Sequence, residues 1–156
     1  MNRLHVHLHV HDVAQSVRFY SALFGTAPAR QQADYAKWML DDPLVNFAIS
    51  SGGEAGLGHL GIQVEDAAAL AQATARAKEA AGSVFEEQGA RCCYAIGDKA
   101  WVSDPQGVRW ETFRTTGDLT VYGVGASQAN EPEAASCCTT AAPKREQTEA
   151  CCGGQC

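Results

Sequence analysis

The chain states one short pattern twice, and that repetition limits its fold more than any other feature. His5 precedes Asp12 by seven positions, and His59 precedes Asp66 by the same seven. In each copy the histidine stands in a segment of strand character and the aspartate stands where a helix opens. Residues 3–11, RLHVHLHVH, alternate so that Leu4, Val6, Leu8 and Val10 share one face and His5, His7, His9 and His11 the other. Asp12, with Gln15 three residues on, has the spacing of a capping box. Val13, Val17, Tyr20 and Phe24 keep helical spacing, and Gly25 suits the stop. In the second copy HLGIQV (59–64) is the strand, and Asp66 opens an Ala-rich helix ending near Gly82.

The rest of each half has strand character. Residues 35–40 and 45–50 read as a hairpin turning at Asp41-Asp42-Pro43, and SGGEAGLG (51–58) as a flexible link. In the second half, strands are expected at 83–87, 91–96, 99–103 and 108–114, with a tight turn at DPQG (104–107). Asp42-Pro43 matches Asp104-Pro105. Each half therefore reads β-α-β-β with room for one more strand. Two copies of one such unit pack about a pseudo-twofold axis, which brings their first strands together.

Apolar residues make up 46% of the chain, enough for a core. Twelve basic and 18 acidic residues leave a net charge of −6, and no basic stripe is present, which excludes a general nucleic-acid binder. No apolar run approaches the ~20 residues of a membrane span. The opening MNRLHVHLHVHD lacks the apolar region of a secretory signal. A soluble cytoplasmic protein without a membrane partner is expected. Residues 124–156 carry almost no large apolar side chains, so the division expected is a domain over 1–114 (modules at about 1–50 and 58–114) and a flexible Cys-rich tail over 115–156.

Three side-chain groups point to chemistry. His5, His59 and Glu111, the last in GVRWETF, are expected on three strands facing one cavity. Two histidines and a carboxylate with open positions suit non-haem Fe(II), and also accept Mn²⁺, Ni²⁺ or Zn²⁺. The matched spacing selects His5 among the four alternating histidines. His7 shares its face as a supporting group or competing ligand. The second group is Cys92-Cys93. Adjacent side chains on a strand point to opposite faces, so both thiols reach one soft atom only if the backbone bulges or turns there. A trivalent arsenical with one carbon substituent has two positions for thiols; Cd²⁺ or Hg²⁺ would also bind, and two small core residues are the plain alternative. The third group is the tail thiols Cys137, Cys138, Cys151, Cys152 and Cys156, expected to be reduced. Lys99 reads as an exposed hairpin lysine and a weaker candidate for electrostatic support of the site.

The segments HVHLHVHDVAQSVRFYSALFG, HLGIQVED and WVSDPQGVRWETF resemble the vicinal oxygen chelate superfamily, which includes glyoxalase I and extradiol dioxygenases. The resemblance covers about residues 1–114. It implies an α+β fold in which two βαβββ modules form a cupped mixed sheet around one metal site, with ligands at His5, His59 and Glu111. Glyoxalase I takes a further glutamate from its first module, whereas LVNFAIS after Asp42-Pro43 holds no carboxylate. RCCYAIGDKAWV followed by DPQGVRWE resembles the branch of organoarsenical C–As lyases and cadmium-induced proteins. That branch implies Cys92 and Cys93 as substrate thiols beside Fe(II), with O₂ as co-substrate. It implies release of arsenite from methylarsenite or an aromatic arsenical, hence arsenical resistance. The branch's first ligand is sometimes glutamine; here it is histidine. Two other readings compete: a cadmium- or arsenic-induced protein that sequesters through its thiols, and an extradiol-type dioxygenase. Monomer and homodimer both fit. The tail thiols are expected to capture arsenic and deliver it, and truncation after residue 120 to spare metal binding and turnover.

Overall fold

The computed structural model describes residues 1–123. The five cysteines expected to form a flexible thiol tail lie outside the described residues. The chain runs β1 (Arg3–His9), α1 (Val13–Phe24), β2 (Arg30–Gln31), β3 (Tyr35–Asp41) and β4 (Leu44–Ser50). It repeats as β5 (Gly56–Gln63), α2 (Ala67–Ala81), β6 (Phe85–Cys92), β7 (Ala95–Ser103) and β8 (Arg109–Asp118). Each half is thus a βαβββ module, as the resemblance implied.

The eight strands make one mixed sheet in the order β2-β3-β4-β1-β5-β8-β7-β6. The two first strands pair antiparallel at the centre, and each pairs in parallel with the last strand of its own module. The sheet curls so that one face lines a cavity and the other carries the helices.

Local chemistry explains the boundaries. The Asp12 and Asp66 carboxylates accept the backbone N–H of Gln15 and Ala69, each at 2.8 Å, so both expected N-caps form. Gly25 and Gly82 follow the helices at φ 68° and 74°, where a side chain would strain the backbone. The Asp104 side chain accepts from the N–H groups of Gln106 and Val108, closing the β7–β8 turn.

Val13, Val17, Tyr20 and Phe24 of α1 pack on Val6, Leu8, Trp38, Phe47 and Ile49. This is the face opposite the histidines, as the alternation in β1 dictates.

Four boundaries differ from the sequence reading. β1 ends at His9, and His11 is exposed beyond it. β5 starts at Gly56, inside the stretch read as a link, because it pairs with β1 back to His9. The expected strands at 83–87 and 91–96 are replaced by one continuous β6 with a bulge between Glu87 and Ala90, and β7 already starts at Ala95. The real turn falls at Cys93-Tyr94. β8 continues to Asp118, past residue 114, because β7 offers pairing partners as far as Ala95.

Candidate active site

The repeat places His5 on β1 and His59 on β5 with their rings turned to the concave face. Their Nε2 atoms lie 3.2 Å apart. Glu111 on β8 brings Oε2 to 3.4 Å from the His59 Nε2 and 3.9 Å from the His5 Nε2. The donor atoms of the three residues all lie within 4.8 Å of one another. Adjacent ligands of a first-row ion are about 3.0 Å apart in an octahedron and about 3.4 Å in a tetrahedron, for bonds of about 2.1 Å. The three groups therefore fit one ion bound on one side, with its other positions open to the cavity. The His5 Nδ1 donates its proton to the Asn46 carbonyl at 2.9 Å, which leaves the Nε2 lone pair for a metal. Burial lowers the His5 pKa to about 4 against the pull of Glu111, so its ring is neutral at neutral pH, as a ligand must be.

The structure accounts for the missing fourth ligand, a second carboxylate. His7 and Gly61 each stand two residues after a repeated histidine. His7 pairs with Ala48, and Gly61 with Glu111. Ala48 is thus the first-module counterpart of Glu111, and it is buried with no polar atom to offer. Gly61 has its own reason: a Cβ there would lie 2.5 Å from the Glu111 carbonyl oxygen. His7 sits directly opposite His59 in the β1–β5 pairing, and the two rings stack at 4.7 Å. Burial lowers the His7 pKa to about 2, with His59, His5 and His9 adding to it. Its Nε2 faces the Ser50 hydroxyl at 3.0 Å. His9 points to that same hydroxyl at 3.2 Å.

Lys99 is not the exposed hairpin lysine that was expected. Its side chain is only 13% exposed, and its Nζ lies 2.6 Å from Glu111 Oε1. β7 points it inward because it is paired with Phe113, two residues beyond Glu111 on the same face of β8. The carboxylate is therefore divided, with Oε1 held by Lys99 and Oε2 turned to the histidines. Burial pushes the Glu111 carboxyl up, but Lys99 and the two histidines outweigh it and hold the group well below its ordinary range. Burial likewise pushes the Lys99 ammonium down, and Glu111 with Cys92 outweighs it, keeping the ammonium charged.

The cysteine pair resolves the strand problem by ending the strand. Cys92 closes β6, and Cys93 and Tyr94 are the central residues of a two-residue hairpin turn with φ of 58° and 62°. Two positive φ values belong to the type I′ turn, which glycine or asparagine normally fills. Two bulkier residues there cost about 1 kcal/mol or more each. The turn brings the two Sγ atoms 2.7 Å apart.

The first module holds the turn in place. The Tyr94 hydroxyl donates to Asp34 at 2.6 Å, and Arg30 donates to the Tyr94 carbonyl at 2.6 Å. The thiols and the His5–His59–Glu111 set line one cavity of about 480 Å³. Lys99 links them, interacting electrostatically with both thiols and with Glu111.

The sequence reading missed Tyr122. The Tyr94 N–H donates to the Tyr122 carbonyl at 3.2 Å, and the Cys93 thiol donates to the Tyr122 hydroxyl at 3.8 Å. Truncation after residue 120 would remove both contacts, so the boundary expected to spare turnover cuts through the site. The signal was present in TVYG (120–123), a last β-branched and aromatic stretch before the low-complexity segment.

This architecture and site define a class. The chain belongs to the Glyoxalase/Bleomycin resistance protein/Dioxygenase superfamily, which it matches over residues 3–112. Among curated proteins it is 37% identical to a trivalent organoarsenical cleaving enzyme of a Bacillus species, over 97% of this chain and 99% of that one. It is 33% identical to the cadmium-induced protein CadI of Mycobacterium bovis, over 88% of this chain and 93% of that one. Among solved structures, an extradiol ring-cleaving dioxygenase from B. fuscum shares the fold with a TM-score of 0.57 at 23% identity. That match covers 75% of this chain and 33% of the dioxygenase. No helix among the described residues is long and apolar enough to cross a membrane.

Proposed function

We propose that the chain is an Fe(II)-dependent, O₂-using enzyme that cleaves the carbon–arsenic bond of trivalent organoarsenicals such as methylarsenite and releases arsenite. The observation that carries this reading is the meeting of a dithiol turn and a one-sided His-His-Glu set in a single cavity. The similarity to trivalent organoarsenical cleaving enzymes supports the substrate class.

In this reading His5, His59 and Glu111 hold the metal, and Ala48 leaves room on the first-module side. When bound, Fe(II) supplies the redox chemistry with O₂. Cys92 and Cys93 hold the arsenic atom as a dithiolate, which converts an encounter in solution into a fixed approach. Asp34 and Arg30 keep the turn in register. Lys99 keeps Glu111 ionised and places a positive charge beside the thiolates that form.

The test is anaerobic reconstitution with Fe(II), then addition of O₂ and methylarsenite, with arsenic speciation of the products. Arsenite that appears only with O₂, and is lost in His5→Ala, Glu111→Ala and Cys92→Ser, supports the reading.

A second reading has its own support in the similarity to CadI: a thiol protein that binds the ion without turnover. Stoichiometric binding with unchanged arsenic speciation would establish it. An extradiol dioxygenase has no use for the dithiol turn, and ring cleavage surviving Cys92→Ser and Cys93→Ser would favour it.

A further inference from the structure

The charges that face the cavity do not balance. Among the described residues its lining carries four lysine and arginine side chains, Lys37, Lys99, Arg109 and Arg114, against the single carboxylate of Glu111. Lys99 is matched by Glu111 at 2.6 Å, and Arg114 by Asp98 at 2.6 Å. The side chains of Lys37 and Arg109 make no ion pair and no hydrogen bond among the described residues.

The two unmatched cations stand at opposite ends. Lys37 interacts electrostatically with Arg30, Asp118 and Cys93, which puts it at the thiol turn. β7 leaves that turn at Ala95, passes Lys99 and reaches Trp101, and Arg109 lies over the Trp101 ring, 4.5 Å from its centroid. Trp101 in turn meets the His59 ring edge-on at 5.1 Å, so Arg109 is two ring contacts from a proposed metal ligand. Trp101 and Arg109 also line a separate cleft, and so form the partition that ends the cavity. The indole is fixed: it is buried, and its Nε1–H donates to Glu87 at 2.6 Å. Stacking occupies the face of the guanidinium and leaves its N–H edge for an acceptor. Phe113 stands beside His5 as Trp101 stands beside His59, with ring centroids 5.2 Å apart. An arene placed next to the two histidines would therefore meet two aromatic walls.

We propose that Arg109, stacked on Trp101, binds an anionic group on the carbon substituent of the arsenical, so that the site takes aryl arsenicals with an ionised acid on the ring. This rests on the dithiol reading given above. With arsenic on Cys92 and Cys93, the carbon substituent points away from the turn and along β7. A methyl group ends beside His59 and Glu111. An arene continues between Phe113 and Trp101, and a carboxylate at its far end meets the guanidinium edge in the two-pronged geometry that this pair favours. Arg109 is then a specificity-determining residue: it has no part in holding arsenic and selects what the arsenic carries.

The test uses the full-length chain with Cys137, Cys138, Cys151, Cys152 and Cys156 replaced by Ser, metal-free and anaerobic. The probes are 4-carboxyphenylarsenite and phenylarsenite. Binding is titrated by tryptophan emission, since Trp101 lines the cavity, and mass spectrometry counts arsenic per chain. The parent is expected to bind the carboxylated probe about 10-fold more tightly, the low end for a hydrogen bond to a charged group. The ratio of the two dissociation constants cancels any change common to both probes. Arg109→Gln is expected to bring that ratio to unity, and Arg109→Lys, which keeps the charge and loses the fork, to preserve part of it. Lys37→Met, at the thiol end, is expected to leave the ratio at the parent value. Equal binding of the two probes by the parent overturns the proposal and leaves the dithiol reading intact. So does a preference that Lys37→Met erases and Arg109→Gln keeps. Binding of neither probe overturns both.

Discussion

The two modules share a fold and divide the labour. The first builds its interior from large side chains: Trp38 is fully buried between strand and helix, with Tyr20, Phe24 and Phe47 around it. The second has a helix in which nine of the fifteen residues Ala67–Ala81 are alanine, and its large side chains, Trp101 and Phe113, turn instead toward the cavity. Reactive groups follow the same division. The second module supplies His59, Glu111, Lys99 and both thiols. The first supplies His5, the Asn46 carbonyl that orients it, and the Arg30–Asp34 grip on the thiol turn. A duplicated unit can thus keep its backbone symmetry while one copy holds most of the ionisable and thiol groups of the cavity and the other the larger aromatic core.

Substitutions in the two copies can break this comparison. Trp38→Ala is expected to destabilise the protein by about 3–5 kcal/mol in urea unfolding, the range for a large aromatic lost from a packed core. Leu70→Ala on the half-buried face of α2 is expected to cost about 1–2 kcal/mol. Equal costs would show that the second module is packed as firmly as the first.

The next largest effect depends on pH. In the metal-free protein the folded-state pKa of His5, about 4, lies below the ordinary 6.5. The unfolded chain therefore binds more protons between these values. The stability due to a neutral His5 is fully present above pH 6.5 and is lost as pH falls toward 4, a change of about 3 kcal/mol. His7 acts in the same direction, down to about pH 2. Denaturant midpoints measured from pH 4 to 7 should rise with pH, and His5→Gln should remove about one proton's share of the slope.

At the proposed metal site, Glu111→Gln is expected to weaken metal binding by at least about 100-fold in calorimetric titration, because loss of a supporting group alone costs 10–100-fold. His7→Gln is expected to cost about 10-fold or less. The reverse ranking would move the ligand from the second module to the first. The smallest effect concerns the grip on the turn. Asp34→Ala is expected to raise the apparent Kd for methylarsenite by about 10-fold through loss of one charged hydrogen bond, with turnover at saturation unchanged.

The repeated seven-residue spacing by itself determined the two modules, both helix starts, and which histidine of β1 turns a ring nitrogen toward both His59 and Glu111. It did so because strand alternation and helix capping are local rules that leave a periodic trace. The absence of a carboxylate in LVNFAIS was legible for the same reason, and the register then identified Ala48 as the residue in that place. Three features depended on the tertiary structure. Lys99 reads like any hairpin lysine until β7 pairs with β8 and points it at Glu111. Cys93 and Tyr94 carry no glycine or asparagine to announce a type I′ turn. That turn is held from the other module by Arg30 and Asp34, about sixty residues away. Tyr122 lies past the last regular strand and meets Cys93 and Tyr94 only where the curled sheet brings their turn to it. Contacts between segments far apart in the chain leave no periodic trace, so the convergence of His5, His59 and Glu111 could be expected from the sequence and the surroundings of Cys92 and Cys93 could not.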